Sequence, residues 1–401
     1  MPKSKSKTAS RRAELDALQR EIDEFTRHDQ AAAQESAVQP QEAAPHPHPQ
    51  EAAPHPHPHP HPHPHAPTVC AYCYATLQTP YRCGGCHKRR YCSRDCQRLD
   101  WACAHRHGCG KAGELGVDVV VRPSAVGGMG LFACRAFERD ERVYVERAIR
   151  WSDLKHAEHA APDGATVMAV RALLPGGDAT LRDKFDLNCM GCRNVDDQES
   201  DPDGSAVCVT LSRVNHSCLP NTVHHFVQSG ARERDGMKIL VAARPIAAGE
   251  EITISYIRHK EARSILPLKW DFTCTCAVCS DPHLAAQVER MDDLDDQIYN
   301  GGVQAQLSGN VRALERGIAA CDELLALYDT LQCSSTVYHR TYYDRFQLCV
   351  MHKRTLPQAR ISIVRAMTHA EQFYGKTSRE AARARELKRN MAKHSSYLAL
   401  M

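Results

Sequence analysis

Three small polar blocks in this 401-residue chain carry residue types that do chemistry. The first is Arg213-Val-Asn-His-Ser-Cys-Leu-Pro-Asn221, and the second is Gly249-Glu-Glu-Ile-Thr-Ile-Ser-Tyr256, which ends 35 residues further on. The third is Phe272-Thr-Cys-Thr-Cys-Ala-Val-Cys279. The amide of Asn215 and the imidazole of His216 can bind a polar ligand, and the phenol of Tyr256 can orient a reacting group. Cys274, Cys276 and Cys279 offer three thiols, one short of a closed tetrahedral metal site. Pro220 and the asparagines at 215 and 221 argue against a helix or a central strand, so the first block reads as a buried loop.

A second chemistry lies upstream. Cys70-x2-Cys73, Cys83-x2-Cys86, Cys92-x3-Cys96 and His105-x3-Cys109 supply seven thiols and one imidazole, enough for two four-ligand zinc sites. About forty residues cannot build a sufficient core, so metal must supply the folding energy. Cys103 and His107 are spare candidates for the last ligands. Nineteen cysteines in such spacings, with no apolar segment after the basic N-terminus, read as zinc ligands in a reducing compartment. The expected location is cytoplasmic, nuclear or both.

Composition sets the rest. Hydrophobic residues make up 42% of the chain, and mean hydropathy is −0.48. No run of 18 apolar residues exists, so no membrane span is expected. Formal net charge is +3, too small for a chain built chiefly to neutralise phosphates. Locally, residues 70–109 carry seven Lys/Arg against two Asp, and Lys88-Arg-Arg90 keeps a nucleic-acid reading open.

The elements that position these blocks follow from periodicity. Leu15, Leu18, Ile22 and Phe25 predict a short helix over 9–28 in an otherwise unstructured tail. His-Pro alternation within 29–69 predicts a semi-rigid polyproline spacer, with loose metal binding by its histidines as the alternative. Strands are expected at Val117–Val121, Arg142–Ala148, Ala206–Leu211, Thr222–Gln228 and Met237–Ala243. Residues 151–187 lean helical, and Asp196–Gly204 reads as an acidic solvent loop. Residues 284–401 are helical, with apolar stripes at Val311, Leu314, Ile318, Cys321, Leu325 and Tyr328, and at Ala359, Ile363, Ala366, Ala370 and Phe373. Gly301-Gly302, Cys333-Ser-Ser335 and Pro357 are expected to punctuate those helices.

The order of the polar blocks resembles the SET domain of protein lysine methyltransferases, over roughly 116–280. Residues 70–109, with Tyr91-Cys-Ser-Arg-Asp-Cys-Gln-Arg-Leu-Asp-Trp101, resemble the MYND zinc finger. The whole resembles the SET-and-MYND-domain (SMYD) methyltransferases. That resemblance implies a multidomain α+β protein: a largely unstructured tail (1–69), a MYND finger (70–109), a β-rich SET fold (116–258), a post-SET zinc segment (259–283) and a tetratricopeptide-like helical domain (284–401). It implies S-adenosylmethionine contacts at Gly128, Met129, Gly130, Asn188, Asn215, His216 and Phe272, with Tyr256 at the methyl-transfer point and Phe272 lining the lysine channel. It implies one zinc on Cys70, Cys73, Cys92 and Cys96, a second on Cys83, Cys86, His105 and Cys109, and a third on Cys274, Cys276 and Cys279 with Cys218 as fourth ligand. Two departures stand out. Eight residues separate Cys96 from His105 where seven is usual, and the finger precedes the SET domain instead of being inserted in it.

The expected activity is transfer of a methyl group to a protein lysine, on histone or other proteins, by a monomer. A proline-rich peptide is the expected partner of the finger. An adaptor with an inactive SET fold is the second reading, and S-adenosylmethionine binding separates the two.

Overall fold

The computed structural model describes residues 69–191, 204–228, 236–257 and 263–400. The expected helix over 9–28 lies outside the described residues, as do nearly all of the His-Pro spacer and of the acidic stretch 196–204.

In the finger, strands β1 (Tyr81–Arg82) and β2 (Arg90–Tyr91) pair antiparallel. Helix α1 (Arg94–Asp100) starts where the Ser93 side chain accepts a hydrogen bond from the Cys96 N–H. It runs into a π-helical stretch, Trp101–His105. A π turn accommodates one extra residue per turn, so it absorbs the long Cys96–His105 spacing and still brings His105 inward.

The next region is built from three small sheets. Strand β3 (Val119–Pro123) and β4 (Met129–Ala133) form a hairpin, turned by Gly127 and Gly128 at φ values of +107° and +64° that only glycine adopts without strain. After β5 (Arg142–Arg147) and β6 (Ile149–Arg150) come three helices, α2 (Trp151–Ala160), α3 (Ala165–Arg171) and α4 (Leu181–Asn188). They are followed by β7 (Met190–Gly191), β8 (Ser205–Val207), β9 (Asn215–His216), β10 (Thr222–Gln228), β11 (Gly236–Ala242) and β12 (Glu251–Ile254). The sheet orders are β3-β4-β12-β9, β10-β11-β5 and β6-β8-β7. Two expectations are corrected here. The strand expected over 206–211 stops at Val207, because the Thr210 and Leu211 amides turn inward to bind the Glu146 carboxylate. The first polar block is not purely a loop: Asn215–His216 pairs in parallel with Thr253–Ile254 at the sheet edge.

After two short helices, α5 (Ile265–Trp270) and α6 (Ala277–Ser280), the C-terminal region stacks α7 (Pro282–Ser308), α8 (Val311–Leu331), α9 (Ser335–Cys349), α10 (Leu356–Phe373) and α11 (Arg379–Arg389). The two apolar stripes read from sequence lie on α8 and α10 and, Val311 excepted, are buried. Pro357 sits in the first turn of α10, where its missing N–H costs nothing. Gly301-Gly302 does not interrupt a helix. Both lie inside α7, and a Cβ at Gly301 would stand 3.0 Å from the Ala313 carbonyl and from Gly317 Cα. The glycine marks a close helix crossing.

The finger docks on β5. Arg89, 3% exposed, pairs with Asp100 at 2.8 Å and Glu114 at 3.5 Å and donates to the Val145 carbonyl. Lys88 pairs with Asp118 at 3.1 Å. Of the basic run, Arg89 is buried in these pairs, whereas Lys88 reaches Asp118 from an exposed position. Breaking a buried pair of this kind by removing one partner costs on the order of 3–5 kcal/mol.

The glycine pair gives a contrast. Gly301→Ala should destabilise the helical domain by about 1–2 kcal/mol, because backbone on α8 cannot give way. Gly302→Ala meets only the Leu348 side chain at 3.2 Å and gains helix propensity, so its stability should hold or rise by up to ~1 kcal/mol. Thermal melts followed by circular dichroism distinguish the two.

Candidate active site and metal centres

Pairing of β9 with β12 places Asn215 and His216 beside the end of the strand that carries Tyr256. His216 Nδ1 accepts the Tyr256 N–H at 3.0 Å. Its Nε2 therefore carries the proton and points at Cys218 Sγ, 3.5 Å away. Burial lowers the His216 pKa, which keeps the ring neutral in this role. Both ring nitrogens are thus engaged inside the protein.

Asn215 Nδ2 donates to Glu251 Oε1 at 2.7 Å and to the Met129 carbonyl at 3.3 Å. Ser124 Oγ donates to the other Glu251 oxygen at 2.9 Å. Glu251 thereby ties the glycine hairpin to the Asn215 edge. Gly130 is required for this approach, since a Cβ there would lie 2.3 Å from Glu251 Oε1. Gly128 and Met129 sit at the exposed hairpin tip, and nothing lies within 4 Å of a Cβ built on Gly128. The tip is open to a ligand. Asn221, 2% exposed, donates to Glu250 Oε1 and to the Glu251 carbonyl and accepts the Thr253 N–H. It clasps the far side of the same strand.

Around Tyr256 the side chains are aromatic. Its ring lies 5.4 Å from His216, 5.2 Å from Trp270 and 6.2 Å, edge to face, from Phe272. Its hydroxyl donates to the Val214 carbonyl at 2.7 Å. Burial first, then the Glu251 charge, pushes its pKa up to about 12, so the phenol stays a hydrogen-bond donor at neutral pH. Asn188 stands apart in function: its amide donates to the Leu174 and Lys184 carbonyls and closes its own helix. Sequence reading missed Trp270, whose ring N–H donates to the Leu187 carbonyl. A tryptophan two residues before Phe272 was the available signal. It also missed Glu251, because adjacent glutamates before a strand read as solvated charge.

Three clusters of metal-ligand type form among the described residues: Cys70, Cys73, Cys92 and Cys96; Cys83, Cys86, His105 and Cys109; and Cys218, Cys274, Cys276 and Cys279. Within each, the ligand atoms lie within 4.8 Å of one another. Zn–S bonds of ~2.3 Å at tetrahedral angles set sulfurs ~3.8 Å apart. Cys73–Cys92 at 3.6 Å, Cys83–Cys109 at 3.8 Å and Cys218–Cys279 at 3.6 Å match that spacing, so the residues fit zinc. His105 Nε2 lies 3.4 Å from Cys86 Sγ, and its Nδ1 faces Glu114 at 3.4 Å. Burial, then Arg89, lowers its pKa to about 3, which gives the neutral imidazole that a metal needs. His107 instead pairs with Arg106 and takes no part in the cluster.

The family model for the SET domain matches residues 128–257, and that for the MYND finger matches residues 70–109. The chain thus carries a MYND finger followed by a SET domain. It is 25% identical over 233 residues to the N-lysine methyltransferase SMYD2 of Bos taurus, covering 53% of this chain and 50% of that one. The Homo sapiens SMYD2 is 24% identical over the same length. The histone-lysine N-methyltransferase SET5 of Meyerozyma guilliermondii is 38% identical over 97 residues, 23% of this chain and 18% of that one. The chain spans about half the length of the SMYD2 relatives it matches, and less of SET5. The two matches and the cysteine clusters fit zinc binding, and the SET sheets, finger and C-terminal helices make a multidomain α+β layout.

Gly130→Ala should push the Glu251 carboxylate off Asn215 and lower stability by about 1–2 kcal/mol, since a part-buried hydrogen bond to a charged group is lost. Glu251→Gln, which keeps an acceptor for Asn215, should cost less. Denaturant titration of the two variants measures the difference.

Proposed function

We propose that this protein is an S-adenosylmethionine-dependent protein-lysine N-methyltransferase. The observation that carries the reading is the aromatic wall of His216, Trp270 and Phe272 around a neutral Tyr256 phenol, at the end of the strand that Asn215 and the glycine hairpin share. S-adenosylmethionine supplies an electrophilic methyl group on a sulfonium. The residues suited to hold it are Gly128, Met129 and Gly130 on the hairpin, with Asn215 and His216 beside them. Asn188 would act through its main chain, because its side chain caps a helix.

A lysine amine must be neutral to attack. From a solution pKa of ~10.4, deprotonation at pH 7 costs roughly 4.6 kcal/mol. Half-buried Trp270, Phe272 and Tyr256 desolvate an ammonium placed among them and lower that cost. The Tyr256 hydroxyl offers a fixed dipole to the reacting groups, held in place by the Val214 carbonyl. Alignment of two bound reactants supplies much of the remaining acceleration. The substrate is a protein lysine, histone or not, and the finger is a candidate site for a proline-rich peptide. Three zinc ions per chain follow from the three clusters. The expected location is the cytoplasm, the nucleus or both.

Incubation of zinc-loaded protein with methyl-labelled S-adenosylmethionine, histones and cell-extract proteins tests this reading. Label should appear on lysines, and Tyr256→Phe should lower its rate by about 10²-fold or more, the scale of removing one positioned hydrogen-bonding group. Label equal in the variant, or none in the wild type with no cofactor binding, overturns it and leaves the adaptor reading. Elemental analysis should give three zinc ions per chain and two in Cys276→Ala. The rate should climb with pH as the lysine loses its proton and should not fall before about pH 10, because Tyr256 ionises later. A decline beginning near pH 8 contradicts the role given to the phenol.

A further inference from the structure

Glu146 is a charged residue in the buried run of β5 and is 1% exposed. Its carboxylate joins two parts of the molecule that the proposed chemistry does not otherwise connect. On one side, the Tyr74 hydroxyl donates to Oε1 at 2.9 Å. Tyr74 follows the finger ligand Cys73 directly and holds a left-handed φ of +66°. On the other side, Thr210 N–H donates to Oε1 at 2.9 Å and Leu211 N–H to Oε2 at 3.0 Å. Those amides open a 3₁₀ turn, Leu211–Arg213, whose end is closed by Val214 N–H on the Leu211 carbonyl at 3.0 Å. The Val214 carbonyl is the acceptor of the Tyr256 hydroxyl at 2.7 Å. The path runs without a gap from the loop that carries the finger ligand Cys73 to the phenol at the candidate methyl-transfer point.

We propose that the MYND finger is a positioning element of the methyl-transfer site, acting through Tyr74 and Glu146 on the turn that presents the Val214 carbonyl to Tyr256. The inference rests on the methyltransferase reading for its kinetic consequence, and on geometry alone for the coupling. A carboxylate is needed because three donors converge from two directions. Glutamine offers one oxygen and would set its NH2 against either the Leu211 N–H or the Tyr74 hydroxyl and Thr210 N–H. A buried donor left unpaired in this way is costly enough to displace a single turn. Tyr74 and Glu146 touch no reacting atom. Their effect is on where Tyr256 points.

The test uses zinc-loaded full-length chain. Tyr74→Phe removes one hydroxyl and keeps every thiol and the ring packing, so it should fold and keep its zinc. Two readouts are taken. Deuterium exchange of the amides in 208–216 should accelerate by about threefold or more in Tyr74→Phe, as a loosened local unit opens more often. With the labelled methyl assay, kcat should fall by about 3–10-fold while KM and S-adenosylmethionine affinity stay within about twofold, the pattern of a lost transition-state alignment. Glu146→Gln should lower kcat further, and adding Tyr74→Phe to it should cost nothing more, since both act on one path. A purely structural role would lower stability and leave the kcat-to-KM split unmoved. Unchanged exchange in Tyr74→Phe, or additive losses in the double variant, overturns the inference. If the wild type transfers no methyl group, the enzymatic reading falls, and exchange by itself decides whether finger and Tyr256 are coupled.

Discussion

Two residues of parallel pairing, Asn215–His216 against Thr253–Ile254, organise this molecule. Parallel strands need a long connection between them, and here the connection contains the whole β10–β11 hairpin. The closure is held at both flanks of β12: Asn215 through Glu251 on one, and Asn221 through the Glu251 carbonyl and Thr253 on the other. Each contact is a hydrogen bond worth about 1 kcal/mol net, but leaving the buried Asn221 amide unpaired would cost more. The polar residues of the first block are therefore structural and functional at once. They make the crossing, and the crossing puts Tyr256 among its aromatic neighbours.

Metal chemistry extends that clasp. Cys218 is two residues from His216, so the third cluster is anchored in the same crossing and pulls Cys274, Cys276 and Cys279 towards it. The chain just ahead of those thiols brings Trp270 and Phe272 against Tyr256. Leu219 and Cys276 in turn pack against the core of the C-terminal helices. A zinc ion on this third cluster would staple the seam between the sheets and the helices, and zinc in the finger would replace a core that some forty residues cannot build. The finger is not a free appendage in this arrangement. Arg89 pairs with Glu114 and donates to the Val145 carbonyl of β5, and Lys88 pairs with Asp118, contacts that fix the finger's orientation although it precedes the SET domain in the chain.

Much of this was legible in the residues. Cysteine spacing indicated the finger ligands because zinc geometry leaves little freedom in Cys-x2-Cys pairs. The apolar stripes of α8 and α10 were plain because long helices repeat their signal many times. Short-range competition was harder to see. The strand expected through Leu211 ends early because a carboxylate 64 residues away captures the Thr210 amide. Gly301-Gly302 looked like a break, yet it is the notch that lets α7 and α8 touch. Glu146, Glu251 and Trp270 gained meaning only when the fold brought them to their partners, since a single charged residue in a strand or a single tryptophan has no period to betray its role.

The most direct measurement is calorimetric binding of S-adenosylmethionine to zinc-loaded wild type, Asn215→Ala and Tyr256→Phe. The account predicts one site per chain in the wild type, at least a tenfold weaker site in Asn215→Ala (about 1.4 kcal/mol or more), and near-wild-type affinity in Tyr256→Phe, because the phenol serves the transfer and not the binding. No binding by the wild type, or equal binding by Asn215→Ala, would contradict the claim that the β9–β12 crossing builds the cofactor site.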